Sequence, residues 1–250
     1  MQASSTLRKY NLAAGALHAV SALAIILLAN DFALPVSANY MAGPPGSSDR
    51  QMVHLFDIKM AWLIGAFFLL SAVAHFTVAT VRRTRYEANL NLRRNPYRWV
   101  EYSVSSSLMI VAIAQLTGIE DPAALIALAG VNASMIGFGW IQERYETPGG
   151  SLLPFWLGCG AGIIPWLAIG VYLIGPGADQ HAPGFVYGIY VSLFVFFNCF
   201  ALVQYLQYKK VGRFADYLTG EKTYLVLSLV AKSLLAWQIF SSTLAAASGN

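Results

Sequence analysis

The chain has 250 residues, of which 57% are hydrophobic and only 11% carry a formal charge. A water-soluble domain carries about 25% charged residues, so this composition excludes an ordinary soluble enzyme or nucleic-acid-binding module and points to a membrane protein. The net charge of +4 comes with sixteen Lys and Arg residues, whose positions turn out to be strongly uneven.

Seven apolar stretches are long enough to cross a bilayer of roughly 30 Å, at about 10–30, 55–81, 95–117, 121–141, 152–175, 184–208 and 222–246. The first could imitate a signal peptide, but it is too long for a signal core and no small-x-small cleavage site clearly follows it, so it reads as a membrane span. Between spans 1 and 2, "FALPVSANYM" alternates and is followed by Pro, Gly and Ser, which predicts an ordered outer loop, in the form of a short hairpin. The remaining connections are short, as in an antiparallel helical bundle. With no low-complexity tract and no tandem repeat, residues 1–250 read as one all-α, seven-helix membrane domain.

Charge placement orients the bundle. With seven spans, the N-terminus and the 2–3, 4–5 and 6–7 loops share a side. That side holds Arg8, Lys9, Arg82, Arg83, Arg85, Arg93, Arg94, Arg98, Arg144, Lys209, Lys210, Arg213 and Lys222. The opposite side has Arg50 and Lys59, and Lys232 lies within the membrane. The positive-inside rule therefore predicts a cytoplasmic N-terminus and an outer C-terminus in the cell membrane. The basic 82–98 stretch reads first as orientation and headgroup contact, and secondly as a docking surface for an unknown cytoplasmic partner. Because this charge sits against the membrane, nucleic acid is not expected.

Cys159 and Cys199 fall in apolar runs and read as buried small hydrophobes rather than a disulfide. Asn132 sits in an "NAS" acceptor pattern, but inside an apolar run, so it is not expected to be glycosylated.

Ionisable residues inside spans are functional candidates, because charge at membrane depth is costly. Away from the span ends they are few. Lys232 lies in "YLVLSLVAKSLLAWQIF", with the nearest preceding charge, Lys222, about 15 Å away along a helix and none following. Glu101 is in span 3, His18 in span 1 and His75 in span 2. Ser228 precedes Lys232 by four residues and so shares its helix face. Arg98, Glu101, Ser105 and Met109 form one stripe on span 3. Bland alternatives exist for each: histidines and serines as helix–helix hydrogen-bonding groups, and Glu101 as the partner of Arg98 at a helix end. The lysine resists such a reading, since it is too deep to reach an interface.

A lysine in an apolar site is a good amine nucleophile and can condense with an aldehyde to form a Schiff base. A protonated Schiff base is a buried cation needing a counterion, and Glu101 is the acid at a compatible depth. A long conjugated aldehyde also needs an apolar, aromatic slot. Met109, Ile136, Trp166 and the span 6 stretch "FVFFNCF", including Phe197, could supply it, although aromatic stripes are more often plain packing.

Seven spans with a lysine in the last and a carboxylate in the third resemble the microbial rhodopsins. Within them, "RWVEYSVSSSLM" in span 3, "LSLVAKSLLAW" in span 7, the total length and the inverted orientation resemble the heliorhodopsin family across essentially all seven spans. The resemblance implies all-trans retinal bound to Lys232, with Glu101 as counterion and Ser105 and Ser228 tuning the site. It also implies a polar cavity on the cytoplasmic side in which His18, His75 and Arg98 receive or redistribute a proton, and a homodimer to which the first outer loop contributes.

A pump needs a relay through both halves. Where related pumps carry an aspartate four residues before the lysine, this chain has Ser228. Eleven residues after the counterion it has Ala112 rather than a carboxylate. The expectation is therefore a non-enzymatic light sensor with a slow photocycle and no net ion transport. A light-gated channel or atypical transporter, a light-dependent regulator of a partner enzyme or membrane protein, and a retinal-free scaffold remain as alternatives.

Overall fold

A computed structural model describes residues 2–175 and 181–248. Among them are eight α-helices, one two-stranded sheet and a 3₁₀ turn. The helices are α1 (Gln2–Leu27), α2 (Met60–Ala79), α3 (Arg83–Asn91), α4 (Pro96–Leu116), α5 (Pro122–Tyr145), α6 (Leu153–Ile174), α7 (Gly184–Tyr208) and α8 (Tyr217–Ser248). All but the short α3 are long and apolar enough to span a membrane, so the seven expected spans are α1, α2 and α4 to α8. The chain is a multi-pass membrane protein.

The helix starts are written locally. Pro96 and Pro122 occupy first-turn positions, where a missing N–H costs nothing. Asn95 Oδ1 accepts from Arg98 N at 3.2 Å, and Asp121 Oδ1 accepts from Ala124 N at 3.0 Å, each satisfying one of the free amides of a helix terminus. Sequential neighbours pack side by side, and α8 closes against α1 to complete the ring. α4 is the most buried span, in contact with α2, α5, α6 and α7, which puts its polar stripe at the centre of the bundle. The main apolar core, with Phe67, Phe68, Ile110, Ile113, Ile189 and Leu235, fills the half of the bundle away from the basic loops.

The loop between spans 1 and 2 is the expected hairpin, β1 (Ala33–Met41) paired antiparallel with β2 (Arg50–Lys59), with an irregularity between Val36 and Ser37. Ser37 N donates to Glu120 O at 3.1 Å, and Lys59 pairs with Asp31 at 3.0 Å; these contacts tie the hairpin to the end of the bundle. Span 2 consequently starts later than expected. Residues 55–59 belong to β2: "FDIK" alternates apolar and polar residues and pairs across to β1, with Leu55 at the irregularity. Asn132 is buried and donates to Ser106 and Ser107, so it ties α5 to α4. Both cysteines are unpaired.

The two ends of the bundle differ: the hairpin end carries the sheet, and the opposite, basic end carries α3, the arginine-rich turns and the 3₁₀ turn Gly212–Ala215.

Candidate functional site

Lys232 is 2% exposed, deep in α8. Its Nζ donates to Glu101 Oε1 on α4 at 2.8 Å and to Ser228 Oγ, one turn earlier on α8, at 2.8 Å. Ser71 on α2 donates its Oγ to the same Glu101 oxygen at 2.6 Å. An ammonium and a carboxylate removed from water are each costly alone; paired and hydrogen-bonded, they become tolerable. Three helices thus converge on one ion pair.

A cavity opens from this pair between α4, α5, α6, α7 and α8. Lys232, Ser105, Met109, Ile136 and Phe197 line it, all expected from the sequence. Ser105 Oγ is buried without a hydrogen-bond partner. Trp166 does not line this cavity. It packs edge-on against Phe197, 5.3 Å between ring centroids, and against Phe194 and Tyr190, so it supports the wall from behind. Gly139 gives Trp99 room: a Cβ there would lie 2.6 Å from the indole ring.

On the other side of Glu101 lies a second, polar cavity facing the basic end. Asn11, His75, Asn95, Arg98, Glu101 and Glu221 contribute to it. Tyr102 and Arg98 line both cavities and lie between them. The Tyr102 ring lies 5.4 Å from Lys232 Nζ, and its hydroxyl donates to Tyr224 O at 2.9 Å. His75 Nδ1 is 2.8 Å from Asn11 Oδ1. His18 stacks on His75 at 5.5 Å between centroids and touches Phe68, but it is wholly buried and does not line the cavity. Of the three groups expected in this cavity, His75 and Arg98 line it and His18 backs it.

Arg98 does not pair with Glu101. Its Nη2 donates to Glu143 Oε1 on α5 at 2.6 Å and lies 3.2 Å from Glu221 Oε1 on α8. Its guanidinium is held between Trp99 and Tyr224, 4.2 and 4.0 Å from their ring centroids. One helical turn separates Arg98 from Glu101, but the longer side chain reaches toward the basic end, where two acids await it.

Glu143, Glu221, Ser71, Asn95 and Tyr102 were not anticipated as site residues. Glu143 and Glu221 lie just past the expected ends of spans 4 and 7 and so read as interface charges. Ser71 carried a usable signal: it is four residues before His75 on one helix face.

The cavity fits retinal by its own chemistry. A buried primary amine sits at one end with a carboxylate beside it, an unpartnered hydroxyl faces the interior, and the remaining walls are mostly apolar and aromatic.

Comparison with known proteins agrees. Solved structures with the same fold include the transmembrane domain and linker region of a rhodopsin phosphodiesterase from Salpingoeca rosetta, with a TM-score of 0.71, 14% identity, and coverage of 98% of this chain and 73% of that one. A light-driven proton pump from Leptosphaeria maculans gives a TM-score of 0.66 at 13% identity, covering 94% of this chain and 95% of that one. The light-driven proton pump of Coccomyxa subellipsoidea gives 0.65 at 14% identity, with 97% of each chain covered. No curated protein sequence matches the chain. The sequence pattern of the heliorhodopsins matches residues 7–244, nearly the whole length, and the chain belongs to the heliorhodopsin family.

Proposed function

We propose that this protein is a light receptor that carries all-trans retinal on Lys232 and converts absorbed light into a conformational signal without net ion transport. The observation that carries the reading is the Lys232–Glu101 pair at the head of an apolar, aromatic-lined cavity. Retinal, when bound, supplies visible absorption and a light-driven change of shape.

The chain's own residues do the rest. Glu101 balances the positive charge at Nζ, and Ser71 holds the carboxylate in place by donating to it. Ser228 fixes the position of Nζ on α8. Ser105 offers a hydroxyl to the cavity. Tyr102 and Arg98 lie between the apolar cavity and the polar one, and Glu101 lines the polar one, which gives a proton leaving the Lys232–Glu101 region a polar space to enter.

The polar apparatus is one-sided. Among the described residues, the buried ionisable side chains lie from mid-bundle toward the basic end, while the hairpin half holds uncharged Gln115 and the Ser192–Gln238 pair. That distribution supports proton redistribution and opposes a route across the membrane. Charge movement beside a packed helix bundle biases its conformation, and the basic loops are where a change would be read. The charge asymmetry supports an N-terminus in the cytoplasm, so the signal would face inward. A homodimer using the hairpin is part of this reading, as is a cytoplasmic partner for the arginine-rich turns.

Purification with all-trans retinal, followed by flash spectroscopy and photocurrent recording, tests it. The expected result is a visible pigment with a slow photocycle and no steady photocurrent. A sustained current would replace the receptor by a transporter, and the lack of any visible band would remove retinal altogether.

A further inference from the structure

The cluster at the basic end contains two buried carboxylates and one guanidinium. Glu143 and Glu221 have side chains only 5% and 2% exposed, and both approach Arg98. Two ionised acids and one cation would leave an uncompensated buried charge, which is expensive. The geometry shows how the conflict is resolved.

Glu143 is surrounded by donors. It accepts from Arg98 Nη2 at 2.6 Å, Asn95 N at 2.7 Å, Trp99 Nε1 at 2.7 Å and Tyr217 Oη at 3.1 Å. Four donors suit an ionised carboxylate, which only accepts. Glu221 is served far less well. Its Oε2 accepts from Asn95 Nδ2 at 2.6 Å, while Oε1 has no hydrogen-bond partner, its 3.2 Å approach to Arg98 falling outside hydrogen-bond geometry. Asn95 thus serves both acids, the backbone to one and the side chain to the other.

Among the other titratable groups nearby, Arg93, Arg94 and Glu146 line a further cavity with Arg98 and Glu143 that Glu221 does not line, and Arg94 Nη2 donates to Arg144 O at 3.0 Å. From α8 come Tyr217 and Tyr224, from α7 Tyr208, and from α3 Tyr86, all neutral phenols at physiological pH. Across the cavity stand Glu101, already paired with Lys232, and His75.

We infer that Glu221 is held as a neutral carboxylic acid, retaining the proton that the Arg98–Glu143 pair makes unnecessary there, and that it donates this proton to the polar cavity it shares with His75 and Glu101. The acceptor is defined by hydrogen bonding. Asn11 Nδ2 donates to Leu7 O and Tyr86 Oη, which leaves its Oδ1 as the acceptor from His75 Nδ1. His75 Nδ1 therefore carries its hydrogen, and Nε2 has the free lone pair. In the transfer the Glu221 O–H bond breaks and an N–H bond forms at His75 Nε2. The products are a carboxylate at Glu221 and an imidazolium close to Glu101. The new carboxylate is stabilised by Arg98, whose Nη2 already lies 3.2 Å from Glu221 Oε1. This makes the cluster a proton source poised for donation, where the light-triggered part of the role rests on the receptor reading above.

Infrared spectroscopy of the intact protein in membranes tests the inference in the dark, independently of any pigment. The wild type should show a protonated-carboxyl C=O band at neutral pH that shifts in deuterium oxide. Glu221→Asp should move that band, and Glu143→Asp should leave it in place. A band moved by Glu143→Asp instead, or no such band at all, overturns the assignment. With retinal bound, the light-minus-dark spectrum should show loss of the same band, and its persistence through the photocycle overturns the donor role. A chain with the dark band but no visible pigment would sink the receptor reading while leaving the neutral Glu221 intact.

Discussion

Lys232 Nζ and Glu101 Oε1 meet at 2.8 Å although 131 residues separate them in the chain. Each would be a costly isolated charge without the other. Removing one partner of a buried pair costs about 3–5 kcal/mol because the survivor is stranded. Lys232→Ala is therefore expected to abolish the visible pigment and lower the thermal stability of the retinal-free protein by about that amount. Combining it with Glu101→Gln should recover most of the stability and none of the colour. Absorption after retinal addition and thermal denaturation in detergent check the two halves separately. A normal pigment in Lys232→Ala would exclude the lysine as the anchor.

Glu101→Gln keeps the shape of the side chain and removes its charge. The positive charge at Nζ then has no compensating anion in contact, since Ser71 and Ser228 supply only hydroxyls. The expected outcome is a displaced absorption maximum, with a near-ultraviolet, deprotonated form gaining at neutral pH. Spectra recorded across a pH titration check this. An unchanged spectrum and titration would mean that another group or a bound anion neutralises the cation.

Much of this arrangement was legible in the sequence, and the reasons are physical. Span length follows from bilayer thickness, the hairpin from alternation, and the Lys232–Glu101 pair from the cost of burying charge. Ser228 followed from helical spacing. What escaped detection depended on side-chain reach or on span ends. Arg98 shares a face with Glu101 but extends about a turn away to Glu143. Glu143 and Glu221 lie where apolar patterning fades, and the pattern cannot distinguish a solvated interface charge from one folded back into the bundle. Trp166 shows a similar limit: its aromatic character made it a candidate for the slot, yet it packs against Phe197 and does not line the cavity.

Ser71 offers a test of how Glu101 is positioned. Its hydroxyl donates to the carboxylate at 2.6 Å, and hydrogen bonds to charged groups contribute about 1.5–3 kcal/mol. Ser71→Ala should leave retinal stoichiometry near one per chain while shifting the absorption maximum and the pH titration of the visible band. Ser71→Thr, which retains the hydroxyl, should restore both. If Ser71→Ala behaves as wild type, the hydrogen bond has no effect on the counterion.

Outside the membrane, Asp216 caps the start of α8. Its carboxylate accepts from Thr219 N at 2.9 Å, Thr219 Oγ1 at 2.7 Å and Leu218 N at 3.3 Å. Partial burial pushes the Asp216 carboxyl up, but the donors from Thr219 and Leu218 and the charge of Lys222 outweigh it and hold it below its ordinary value. The contribution is therefore complete above the unfolded-state value near 4 and is lost as pH falls through the lower folded-state value. Asp216→Ala should cost about 0.5–2 kcal/mol at neutral pH. Asp216→Asn should retain most of the cap and flatten the acid dependence below about pH 4. Thermal melts from pH 3 to 7 check both expectations.

Arg98 is the cation on which the basic end is organised. Arg98→Met should destabilise the protein by about 3–5 kcal/mol, because it strands an ionised Glu143 among its donors. The rescue depends on which acid is ionised. If Glu221 is neutral, Arg98→Met with Glu143→Gln removes every formal charge from the cluster and should recover most of the lost stability with Glu221 left in place. Arg98→Met with Glu221→Gln should recover little, since the ionised acid would still be there. Thermal denaturation of the three variants decides between these outcomes. The reverse order of rescue would make Glu221 the anion, and equal rescue by both would mean that the two acids exchange the proton freely.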